Sequence, residues 1–268
     1  MLKVWLEHED FKRLIQEVWA TKVIGNPMFV FMQKLKIMKI RIKDLNWHVF
    51  GDVRVKLAKA EEEILNATTI SDQNPSDTIL LNNLVVARGK QEILNQQLHS
   101  ILQQKSREKW FKYGAANTSF FHTSIKIRQA ANVITELEND NGLIVTDQHQ
   151  VAHFLEQHFE EKLKFKNVTF LDGIFDAIPE VATLEDNKML DGVPSIQEIK
   201  DDVFSLNADS APGPDGFPRF FYTFAWEIIG EDLIKDIQYS WRKGFIPRGL
   251  HSNFLFLLPK VKCARRPN

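Results

Sequence analysis

Residues Ala211 to Pro218, APGPDGFP, carry the sharpest local signal in the chain. Three prolines and two glycines in eight positions exclude a helix or a central strand, and the glycines let a rigid backbone approach a ligand closely. Pro212, Gly213, Pro214, Asp215 and Gly216 are its center, and Lys260 follows further along at the end of LLPK. A second feature is REKWFKYGAANTSFFH, Arg107 to His122. There Arg107, Lys109 and Lys112 could contact phosphates, and Trp110 could stack on a base. The competing reading is that Trp110, Phe111, Phe120 and Phe121 pack the base of a helical hairpin. A third is the basic run Lys34, Lys36, Lys39 and Arg41, which suits a phosphate backbone but equally a solvated helix face.

Other constellations are poorer. His149 and His153 are four apart on an expected helix, near Glu156 and His158, but Gln150 stands where a zinc protease needs its glutamate. Asp201 and Asp202 are adjacent, as in two-metal polymerase sites, yet consecutive helical residues diverge by about 100° and both fall on the solvated side. Glycine-rich nucleotide loops, H-E-x-x-H and G-x-S-x-G do not occur. The residues alone therefore assign no metal ligand and no catalytic group.

The elements that must position these residues are mostly helical. Leu35, Met38, Ile42, Leu45 and Val49, then Val53, Leu57, Ala60 and Ile64, fall on one stripe, predicting a long helix to about Ala67 with a bend at Gly51. A loop over Thr68 to Asp77 ends in the N-cap Asp77. A second helix follows through Leu80, Leu84, Ala87, Leu94, Leu98 and Ile101, with Gln91 interrupting the seam, and the two should pack antiparallel. Val133 to Leu137 and Leu143 to Val145 predict a β-hairpin, and Thr146 or Asp147 caps a helix carrying Val151, Leu155 and Phe159. Asp172 to Asp191 reads as an irregular acidic connector. Ser195 and Glu198 form a capping box before Ile196, Ile199 and Val203. Helices at Phe220 to Ile229 and Glu231 to Lys243 and a strand at Phe254 to Pro259 complete the reading. The expected fold class is mainly α (α+β), with an arm over residues 1–130, a β-hairpin, acidic helix and connector over 131–192, and a further unit over 193–268.

The chain has 268 residues and a formal net charge of −1, which conceals a basic first sixty residues and a strongly acidic stretch from about 136 to 205. Its 44% hydrophobic content excludes disorder and collagen. The single Cys263 permits neither an internal disulfide nor a cysteine-built zinc cage, which fits an intracellular location, cytoplasm or nucleus. No apolar run approaches the length of a membrane span, and the first fifteen residues lack a signal-peptide core. No membrane partner is expected.

Five segments in order resemble a plant LINE-type (non-LTR) retrotransposon polyprotein, in the region between its endonuclease and the first blocks of its reverse transcriptase. They are WLEHEDF (Trp5 to Phe11), KLKIMKIRIKDLNWHVFGDV (Lys34 to Val53), REKWFKYGAANTSFFH, APGPDGFPRFFYTFAWEIIGEDL (Ala211 to Leu233) and GFIPRGLHSNFLFLLPK (Gly244 to Lys260). The resemblance implies that residues 193–268 are the truncated start of a reverse transcriptase domain, a partial fingers region lacking the palm. It places Pro212, Gly213, Pro214, Asp215, Gly216 and Lys260 on the template or nucleotide side. It implies an RNA or DNA template as partner, together with the remainder of the reverse transcriptase in a longer polyprotein.

The chain departs from the family in two places. Family members usually read G-D-x-N-T-x-F-F-H, whereas Gly114, Ala115, Ala116, Asn117 and Thr118 stand here. The palm's Tyr-x-Asp-Asp, whose carboxylates would hold Mg2+ in the full-length family, is absent from these residues, and Arg266-Pro267 only superficially matches the Phe-Arg-Pro-Ile block. The expectation is a reverse transcriptase (RNA-directed DNA polymerase) fragment without cofactor, inactive by itself and contacting template RNA. The alternative is a helical RNA-binding or protein-interaction module independent of reverse transcription.

Overall fold

The computed structural model describes residues 1–107, 118–139, 141–167, 173, 179, 181–208, 210–247, 252–261 and 264–267. Over these the chain is mainly helical, with a two-stranded antiparallel sheet. It divides into two compact units, Met1–Thr123 with Val193–Phe254, and Ser124–Gly192 with Leu255–Asn268. Residues 193–254 thus share a unit with the arm that the sequence sets apart as 1–130.

Three helices far apart in sequence build the core of the first unit. Helix α1 (Glu9–Trp19) starts at His8, whose ring accepts from Asp10 N, and carries Glu9 and Asp10 in its first turn, where the helix dipole favours negative charge. It buries Phe11, Leu14, Ile15, Val18 and Trp19, the i, i+3, i+4, i+7, i+8 stripe of an amphipathic helix. Helix α2 (Pro27–Leu45) begins with Asn26 accepting from Phe29 N at 2.9 Å and with Pro27 in its first turn. It contributes Phe31, Leu35, Met38 and Ile42. The third helix, α9 (Arg219–Lys243), adds Phe221, Ala225, Ile229 and Leu233. Phe11 and Phe221 are fully buried, and truncating either would cost about 3–5 kcal/mol.

The expected helical hairpin is present. Helices α3 (Val53–Gln73) and α4 (Thr78–Ser106) pack together, and Glu63 and Lys90, about equally far from the connecting turn, pair at 3.8 Å as antiparallel helices require. Asp77 caps α4, accepting from Ile79 N at 2.8 Å and Leu80 N at 3.3 Å. Ala60, Leu84 and Ala87 of the expected seam are buried. Two details differ from the expectation. The loop does not start at Thr68, because α3 runs on to Gln73 and buries Ser71; the weak helix propensity of Thr68 to Ile70 costs only tenths of a kcal/mol each, less than hairpin packing returns. Nor does the preceding helix bend through Gly51. A π-helical turn, Asn46–Phe50, ends α2, and Gly51 takes φ +54°, ψ −149°, a conformation almost confined to glycine, before Asp52 caps α3 anew.

Two helices finish the first unit. Ser195 and Glu198 make the expected reciprocal capping box of α8 (Ile196–Ser205). The expected break at Gly230 does not occur, since α9 is continuous and Gly230 is buried under the Trp226 ring, where a β-carbon would come within 3.0 Å. Glycine serves close packing there rather than termination. Gly244, at φ +58°, is the residue that ends α9.

Helix α5 (Thr118–Asn132) follows α4 in the chain. In the second unit, β1 (Leu137–Glu138) pairs with β2 (Ile144–Val145) as Leu137 to Val145 and Glu138 to Ile144. Asn139 closes the turn, its Oδ1 accepting from Asn141 N and Leu143 N. Asp147 caps α6 (Gln148–Leu163), accepting from Gln150 N. Leu137, Val151 and Leu155 form the core, with Leu257 packed on it. The connector expected to be irregular contains α7 (Leu184–Asp191), opened by a Thr183 and Asp186 capping box. Residues 172, 174–178 and 180 of that connector lie outside the described residues. No strand forms over Phe254 to Pro259. Phe254, Leu255, Phe256 and Leu258 are exposed there.

Candidate nucleic-acid interface

The segment at 212–216 is a fastened loop. Gly216 N donates to Gly213 O at 2.9 Å, closing a tight turn, and Gly216 sits at φ +83°, which a side chain would strain. The Tyr222 hydroxyl donates to Asp215 Oδ2 at 2.5 Å. Burial, and then the Asp215 carboxylate, push the Tyr222 phenol far above its ordinary value, so it stays a donor at any working pH. Immediately after the loop, Phe217 is buried, its ring centroid 4.4 Å from that of Phe221. Arg219 donates from Nε to Val203 O and from Nη2 to Phe204 O, holding the start of α9 against the end of α8. Pro212 and Gly213 remain exposed at the tip.

The basic run on α2 sorts into two functions. Lys34 is buried, its ammonium 2.7 Å from Asp232 Oδ2 and 5.6 Å from the center of the Trp19 ring. Arg41 pairs with Glu17 at 3.1 Å. These two cations tie α2 to α9 and to α1. Lys36 and Lys39 are exposed, and Lys43, which the sequence reading passed over, is exposed with them at the i, i+3, i+7 spacing of one helix face. The burial period of α2 was the signal that could have separated the two sets: residues 31, 35, 38 and 42 face inward, and 34 lies on their stripe.

The outward face meets the loop. The Lys39 ammonium lies so near Gly216 that a β-carbon there would be 3.3 Å from Nζ. Burial, and then Lys39, hold the Met1 α-amino group below its ordinary value, which places a second cationic group near the same lysine. A glycine loop with Lys39 beside it can receive a phosphate without a clashing side chain.

The other sequence candidates fall elsewhere. Arg107 ends α4 at φ 60°, the sole non-glycine residue with positive φ among those described, its N–H donating to Gln103 O at 3.1 Å. Lys109, Trp110 and Lys112 lie outside the described residues, as do Ala115 to Asn117. Phe121 is fully buried, its ring 5.1 Å from that of His99 on α4, so this ring packs rather than stacks on a base. Lys260 is exposed in the second unit.

His149 and His153 are exposed on α6, and Asp201 and Asp202 are exposed on α8, with Gln197 donating to Asp201 at 2.7 Å. Among the described residues no three His, Cys, Asp or Glu side chains stand close enough to hold a metal ion. No helix among the described residues is long and apolar enough to cross a membrane.

No family model matches the chain.

Proposed function

We propose that this chain is part of a plant LINE-type reverse transcriptase, the amino-terminal approach to the polymerase together with the beginning of its fingers, and that it contacts template RNA while being unable to join nucleotides by itself. The observation that carries the reading is the approach of Lys39 to Gly216. The family resemblance nominates the basic helix and the PGPDG loop separately, and they are far apart in sequence, yet their exposed parts adjoin. Lys36, Lys39 and Lys43 supply the phosphate contacts, and the loop offers backbone at close range. Nucleotidyl transfer needs metal ions held by palm carboxylates, which these residues do not include.

Two measurements test the reading. Anisotropy titration of labelled single-stranded RNA across a salt series should show affinity that falls with salt, and Lys36→Gln, Lys39→Gln and Lys43→Gln together should lower the slope by about two, at about 0.7 per phosphate contact. Unchanged affinity and slope in the triple variant would remove the interface. Primer extension on an RNA template should yield no product, and template-directed synthesis by this polypeptide would overturn the inactivity.

A further inference from the structure

The first unit contains a second concave feature, away from the PGPDG loop, at the base of the helical hairpin. A cleft of about 440 Å³ opens between the first residues of the chain, the π-helical turn and the facing ends of α3 and α4. Its floor is apolar: Val53 and Leu102 are buried there. Two indoles, Trp5 and Trp47, line it, and Arg54 and Lys105 stand at its edge. Asp52 also borders it, accepting from Arg54 N at 2.9 Å, and sets one negative charge against these two cations, so the rim carries a net positive charge of one.

Trp47 is the unusual member. It is 78% exposed, although tryptophan is highly buried on average. The backbone holds it out. It belongs to the π-helical turn Asn46–Phe50, closed by Gly51 N donating to Asn46 O at 2.8 Å, and such turns are frequent at functional sites. An exposed indole beside an apolar floor, with two cations at the edge, has the chemistry of a base-stacking site: the ring receives a flat aromatic face, and the cations receive the phosphate attached to it. The volume suits one nucleotide.

We infer that this cleft captures one unpaired nucleobase together with its phosphate, stacked on Trp47, with Arg54 and Lys105 on the phosphate. The inference extends the RNA-contact reading to a second site and takes from it the expectation that the base belongs to a single strand. Stacking is tolerant of base identity, so the cleft selects unpaired over paired nucleotides rather than one sequence.

The test uses the full chain, a fluorescein-labelled oligouridylate, an abasic strand of equal length, and uridine monophosphate as competitor. Trp47→Ala should weaken oligouridylate binding by roughly tenfold or more and leave abasic binding unchanged, and Trp47→Phe should restore most of the loss. Arg54→Gln should weaken both strands modestly. Because Trp47 is largely in solvent, Trp47→Ala keeps the fold, which far-UV circular dichroism checks. Oligouridylate binding indifferent to Trp47→Ala overturns the cleft and leaves the RNA reading standing. Trp47-dependent binding of the mononucleotide by a chain that holds neither strand keeps the cleft and sinks the RNA reading. Failure of all three ligands to bind overturns both.

Discussion

Lys34 Nζ lies 2.7 Å from Asp232 Oδ2, so a side chain that reads as part of a basic nucleic-acid face is instead half of an ion pair joining α2 to α9. Both side chains are largely shielded, and the ammonium also lies over the Trp19 ring. Lys34→Ala strands the Asp232 carboxylate and is expected to lower stability by about 1–3 kcal/mol in urea unfolding. Lys34→Met combined with Asp232→Leu, which replaces both charges with apolar volume, should recover most of that loss. RNA affinity per folded molecule should not change in either.

Asp236 behaves oppositely to a stabilising carboxylate. It is buried on α9, its Oδ1 has no hydrogen-bond partner, and burial pushes its pKa up from 3.8 to about 6. Well below pH 4 the group is protonated in both folded and unfolded chains and costs nothing. As pH rises through 4 towards 6 the unfolded chain releases the proton while the folded chain retains it, and stability falls by about 3 kcal/mol before levelling off above 6. Asp236→Asn should therefore be the more stable protein at pH 7.5 and lose that advantage near pH 4. Paired urea titrations at the two pH values decide this, and equal differences at both would refute it.

The Tyr222 to Asp215 hydrogen bond anchors the PGPDG loop from below. Tyr222→Phe removes the only donor described for that carboxylate and should cost about 1–2 kcal/mol, with faster amide exchange confined to residues 213–217. A variant as stable as the parent, with unchanged exchange, would show that the loop is held by Phe217 alone.

Gly51→Ala places a side chain where φ is +54° and ψ is −149°. No crowding opposes it, since the nearest atoms are Lys56 Cε at 3.6 Å and Trp47 O at 3.7 Å, so the expected loss of about 1–3 kcal/mol is backbone strain alone. Thermal unfolding reads the loss directly. Relief of the strain by straightening α2 into α3 would appear instead as added helicity without loss of stability, contrary to the expectation.

Local signals in the sequence carried the caps and the hairpin seam well. Asp77, Asp147 and Ser195 sit at helix starts because a short side-chain oxygen followed by free backbone N–H groups has few better uses, and Leu84 and Ala87 repeat at the helical period of a buried stripe. What was not legible depends on partners remote in the chain. Gly51 and Gly230 look alike as sequence, yet the first breaks a helix and the second lies within one under Trp226. Phe254 to Pro259 has strand composition but forms no strand, and Lys34 is paired with an aspartate nearly two hundred positions away. The stacking cleft was missed for the same reason: Trp5, Trp47 and Lys105 belong to three separate elements.

The main core takes α1 and α2 from the first residues and Phe217 with α9 from far along the chain, and of the described residues between them only Val203 packs against it. During synthesis, the apolar sides of the first two helices must therefore wait bare while the intervening chain leaves the ribosome, on the order of ten seconds or more at ordinary elongation rates. The yield of the chain should therefore depend more on how fast it is translated than on how tightly the finished core is packed.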